Sequence, residues 1–91
     1  MLPEDDEVRL TRAIRLALLD VAGPAASVDA GFRATADDGS VVTVEVRRDE
    51  TGGRSLAVLA PEPFLAGRVT ARLEVALHSE GLSGLPVQLN R

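Results

Sequence analysis

Hydrophobic positions recur with two different periods along the chain, and the changes of period divide it into elements. Leu10, Ala13, Ile14, Ala17, Leu18 and Val21 fall at helical spacing and form one stripe, which predicts a helix from about Asp6 to Ala22. Asp5 or Asp6 can accept from the free amides at its start, where the dipole also favours acidic residues. Gly23-Pro24 ends it, with Gly suited to a left-handed cap and Pro unable to continue the turn. From residue 27 the period becomes two. Val28, Ala30, Phe32 and Ala34 alternate with polar or small residues and predict one strand over 27–34. Asp37-Asp38-Gly39 reads as a hairpin turn, and 40–48 as the next strand with Val42, Val44 and Val46 facing inward. A second hairpin loop at 49–53 leads to a strand over 54–60 that is apolar on both faces.

Residues 68–78 carry the decision about the fold. Val69, Ala71, Leu73, Val75 and Leu77 alternate with Arg68, Thr70, Arg72, Glu74 and His78, and Ala76 is the one breach. This predicts a strand with one buried face. The helical alternative starts at Pro61 or Pro63 and runs to Glu80, with a stripe of Leu65, Val69, Leu73 and Ala76. That stripe takes in Arg72 and leaves out Ala71 and Val75, so strand is preferred. Residues 60–67 are then a loop. Leu85, Val87 and Leu89 form a last short strand, and Pro86 puts it at a sheet edge. The predicted fold is α+β, with an N-terminal helix packed on an antiparallel sheet of four to five strands. A KH-like α-β-β-α-β order is the alternative.

Leu16 and Leu19 lie off the helical stripe, among Arg9, Arg12 and Arg15. They read either as scattered surface residues or as a contact surface for a partner or a second copy. Leu59, on the two-sided strand, is a third interface candidate.

Composition narrows the picture. Ninety-one residues fit a single domain over 1–91. Apolar residues make up 45%, enough for a core, and with Phe32 and Phe64 as the two aromatics that core is aliphatic. So small a domain is marginal alone, which favours a homo-oligomer. A net charge of −4 argues against a nucleic-acid partner held by phosphate contacts. All ten basic residues are Arg, a bias that fits a GC-rich bacterial genome. Without cysteine there is no disulfide or thiolate chemistry. The longest apolar run, 56–60, is far short of a membrane span, and an acidic start at 4–7 is the reverse of a secretory signal. A cytoplasmic protein is expected.

Chemistry offers little. His78 is the single histidine, followed by Ser79 and Glu80, but consecutive side chains diverge and cannot form a triad. The acidic residues at 4–7 and Asp37-Asp38 lack the spacing of a calcium loop, and no histidine pair exists for zinc. Gly52-Gly53 lacks the Lys-Ser/Thr of a phosphate loop. Gly81-Leu-Ser-Gly84 matches the RNA-binding G-x-x-G in letters, without a basic residue. Arg47, Arg48 and Arg54 can gather around one hairpin and are the candidates for contact with an acidic partner. No catalytic residue, metal or cofactor is expected.

The opening helix with Leu10-Thr-Arg-Ala-Ile14, the hairpin strand Val42-Thr-Val-Glu-Val-Arg-Arg48, the alternating stretch 68–77 and the closing strand 85–89 resemble, in order, the trypsin-co-occurring domain of bacteria. The resemblance implies a non-catalytic accessory domain working beside trypsin-like peptidases in defence systems. The alternative fold is similar to the alkaline-shock-protein family of envelope-stress domains, also non-enzymatic. The sequence therefore predicts a non-enzymatic protein-interaction or accessory module that self-associates, with a small-ligand-binding domain as the competing class.

Overall fold

The computed structural model describes residues 5–48, 50–82 and 84–90, with the backbone alone of Asn90. The expected roles of Glu4, Asp49 and Ser83 therefore lie outside the described residues.

Helix α1, Asp6–Val21, forms where the helical stripe predicts it. Asp5 caps it by accepting from the Glu7 amide at 3.2 Å. Leu10, Ala13, Ile14, Ala17 and Leu18 are buried. The helix closes with the amides of Ala22 and Gly23 both donating to the Leu18 carbonyl. Gly23 does not take the left-handed cap conformation expected of it. Its role is close approach, since a Cβ there would lie 3.3 Å from the Thr35 carbonyl oxygen.

Five strands follow, β1 Ala26–Val28, β2 Gly31–Thr35, β3 Val41–Arg48, β4 Arg54–Leu59 and β5 Val87–Asn90. They form one sheet in the order β1-β2-β3-β4-β5. Neighbours are antiparallel except β4 and β5, which are parallel. The expected single strand over 27–34 is instead a hairpin, turning at Asp29-Ala30 with Val28 opposite Gly31. The turn reverses the chain, so Phe32 lies opposite Ser27 and joins the core while Val28 passes to the open face. Between β2 and β3 the turn is the predicted one. Gly39 has φ +90°, and the Asp38 carboxylate accepts from the Ser40 amide at 2.9 Å. That bond holds the Asp38 carboxyl below its ordinary value.

The main departure from expectation is helix α2, Pro63–Ser79. Residues 68–78 are helical, not a strand, and 63–67 open the helix instead of belonging to a loop. Parallel pairing of β4 with β5 requires a crossover of a dozen or more residues, and α2 is that crossover. Its buried residues are Leu65, Ala66, Val69, Leu73, Ala76 and Leu77. Burying Val69 and Leu73 completely is worth about 1.5–3 kcal/mol each. Val75 and Ala71, inward in the strand reading, are exposed. Arg72 borders the stripe and reaches Asp20 of α1 at 3.8 Å. The left-handed cap glycine belongs to this helix: Gly81 has φ +79°, and the Leu82 amide donates back to the Leu77 carbonyl at 2.8 Å.

α1 and α2 cover one face of the sheet, and a single aliphatic core joins them to Ala34, Val42, Val44, Leu56 and Val58. The fold is α+β, a two-layer sandwich whose second sheet face carries no helix.

Candidate contact surfaces

α1 and α2 run antiparallel. Arg12 of α1 holds Glu80, just past the end of α2, through two bonds of 2.6 and 2.9 Å, while Asp20 and Arg72 face each other at the other end. The guanidinium of Arg12 keeps the Glu80 carboxyl below its ordinary value. These two ion pairs frame a window on the solvent side of the helix layer.

Leu16 lies in that window, one turn from both Arg12 and Asp20. Val75, on α2, is also exposed. Leu16, Leu19 and Val8 are 54%, 55% and 52% exposed and Val75 63%, so each leaves half or more of its side chain in water. Val8, Thr11, Arg12, Arg15, Leu16 and Leu19 line a shallow groove on α1. Arg15 turns out of it, with its guanidinium 5.1 Å from the centre of the Phe32 ring and donating to the Ala25 carbonyl. The α1 side of this surface is aliphatic, and the charges beside it, Arg12, Arg15 and Asp20, are engaged within the chain. Val8 completes an 8, 16, 19 series that the sequence itself contains; Val75 emerges only once α2 is known to be a helix.

Leu59 does not belong to this surface. It lies half-buried on the open sheet face, beside Thr43 and near the exposed Val41. A shallow depression there is lined by Asp38, Ser40, Val41, Leu59 and Pro61.

The three arginines divide between two faces. Arg48 and Arg54 are directly paired across β3 and β4. Both reach Glu7 in the first turn of α1, Arg54 at 2.5 Å and Arg48 at 3.2 Å, and Arg54 also approaches Asp6 at 3.8 Å. Arg47 is on the other face, bonded to Glu45 at 3.0 Å. Their charge is spent within the chain, tying the acidic helix start to the β3–β4 hairpin, and they do not form one basic patch.

His78 stands on the exposed last turn of α2. It shares the rim of a groove with Glu74, over Leu77, Leu85 and Val87, and no hydrogen bond or ion pair joins the two among the described residues. Glu80 is drawn away to Arg12, and Ser79 is exposed. Among the described residues no group of three or more His, Cys, Asp or Glu is arranged to hold a metal ion, and no helix is long and apolar enough to cross a membrane.

The chain matches no protein-family model, no curated protein and no solved structure.

Proposed function

We infer that this chain is a non-enzymatic interaction module that self-associates through the solvent side of its helix layer. The ridge of Val8, Leu16, Leu19 and Val75 carries the reading. Val8, Leu16 and Leu19 line one groove on α1, Val75 is exposed on the neighbouring helix, and covering them would remove apolar area that a small domain otherwise leaves in water. The non-catalytic part of the reading is supported by His78, exposed and without a bonded acid among the described residues, and by the engagement of Glu80 with Arg12.

The setting we propose is a bacterial cytoplasmic accessory domain that works beside a trypsin-like peptidase in a defence system. Its support is the likeness in the opening helix and in the 42–48 strand. The envelope-stress scaffold reading has its own support in α2, which puts a second helix before the closing strand.

Light scattering on the purified chain at tens of micromolar tests self-association directly. Leu19→Glu introduces a carboxylate into each half of a symmetric contact. It is expected to weaken association at least tenfold, about 1.4 kcal/mol, with an unchanged circular dichroism spectrum. A monomeric wild-type chain, or a variant that associates as tightly as wild type, refutes the reading.

A further inference from the structure

We propose that the outer edge of β5 is a second self-association site, at which β5 of another copy adds in antiparallel register to continue the sheet.

The hydrogen-bonding pattern defines the edge. The Leu56 amide donates to the Pro86 carbonyl at 2.8 Å, and Leu56 pairs with Val87 and Val58 with Leu89. In a parallel ladder this phase turns Gln88 toward β4, and alternation turns the N–H and C=O of Val87 and Leu89 away from it. Two residues thus present a complete donor and acceptor each along an edge that no other strand covers among the described residues.

Natural edges are defended by charge, bulges, proline or extreme shortness. β5 reads Val-Gln-Leu-Asn, with no charge, and its proline precedes the outward positions. Leu89 is 54% exposed beside the free edge. β1, the opposite edge, is shorter, with three residues; both strands have a proline shortly before them in the sequence and a charged residue directly after, Asp29 for β1 and Arg91 for β5. That difference selects β5 against β5 over β5 against β1.

A second copy fits this edge because the edge is self-complementary. A two-fold axis through Gln88 sets Val87 opposite Leu89 of the other copy, and Leu89 opposite its Val87. Both are hydrogen-bonded pairs, and each exchanges two bonds. Val87 shares the helix-covered face with Leu56, as Leu89 does with Val58, so apolar meets apolar across the junction. Gln88, on the open face, meets its own amide, which can both donate and accept. No like charges are opposed.

This axis is perpendicular to the sheet. The contact through the helix ridge has its axis parallel to the sheet. Perpendicular two-folds that intersect close into a tetramer of two ten-stranded sheets with the helices between them. The tetramer rests on the ridge reading; the edge contact by itself does not.

Leu89→Pro tests the edge. It removes an outward amide and leaves the bonds to β4 intact, a position at which an edge strand tolerates proline. Mass is measured by light scattering or sedimentation on wild type, Leu89→Pro, Leu19→Glu and the double variant, each checked by circular dichroism. The expected result is a tetramer for wild type, a dimer for each single variant and a monomer for the double. If Leu89→Pro unfolds, Leu89→Arg takes its place, setting a charge against the apolar Val87 of the other copy and a like charge on the diagonal without touching the backbone. A folded Leu89 variant with the mass of wild type overturns the edge proposal, as does a monomeric Leu19→Glu. A monomeric Leu89→Pro alongside a Leu19→Glu that matches wild type supports the edge and refutes the ridge reading instead.

Discussion

Gly67→Ala should stabilise the protein, and the expected gain follows from its place in α2. Gly67 is the fifth residue of the helix, past the first turn, with a φ outside the left-handed region. A Cβ built on it meets nothing within 4 Å. Alanine therefore adds no clash, and it removes the conformational freedom that glycine keeps in the unfolded chain. Glycine in a helix interior costs about 0.8–1.0 kcal/mol relative to alanine. For a domain of this size about 1 kcal/mol raises the melting temperature by roughly 4–8 °C. Thermal melts followed at 222 nm, with urea titration to confirm an unchanged m-value, measure it. The companion variant Ala71→Glu separates helix from strand. On the exposed side of α2 a glutamate should change stability by no more than about 0.5 kcal/mol. On the inward face of the alternating strand it would bury a carboxylate and unfold the chain. A Gly67→Ala variant no more stable than wild type, or an unfolded Ala71→Glu, would refute the account of α2.

The other predictions concern single contacts. Gly31→Ala should destabilise by roughly 3 kcal/mol, the upper part of the overpacking range, because its Cβ would lie 2.0 Å from the Val44 carbonyl oxygen in the neighbouring strand; urea unfolding measures this. Glu80→Gln should remove one acid-sensitive contribution. Arg12 lowers the Glu80 carboxyl in the folded chain below its ordinary 4.5, so the contribution is present above about 4.5 and disappears as pH falls through the folded value. Wild type should exceed the variant in stability at neutral pH and converge with it as pH falls through the lowered folded value, as read from melts across the acid range.

The legible parts of the sequence were those whose signals are local. α1 could be read from one uninterrupted stripe, a carboxylate at its start and Gly-Pro beyond its end. The β2–β3 turn followed from Asp-Gly, and the inward valines of β3 from strict alternation. At the contact surfaces, Leu16 and Leu19 could be found because they break the stripe of a helix already certain. Asp29-Ala30 shows the opposite case. It turns the chain without a glycine at positive φ, so nothing in the residues themselves interrupts the alternation and the hairpin reads as one strand.

For residues 68–78 local pattern was insufficient in principle. Val69, Leu73 and Leu77 are spaced by four, which satisfies a period of two and approximates a helical turn equally well. What separates the readings lies elsewhere in the chain. β5 pairs parallel to β4, which demands a crossover, and Asp20 stands across the seam to receive Arg72, so an arginine bordering the stripe is accommodated. The division of the three arginines between two faces was hidden for a similar reason. Proximity around a hairpin is visible in sequence, but the face each side chain takes, and the acidic helix start waiting above Arg48 and Arg54, are set by packing. Composition and periodicity fixed the class of fold and the aliphatic core, because those depend on how much apolar surface exists and how it repeats. The crossover, the partners of the charges and the free edge of β5 depend on distant segments meeting, and only the folded chain decides that.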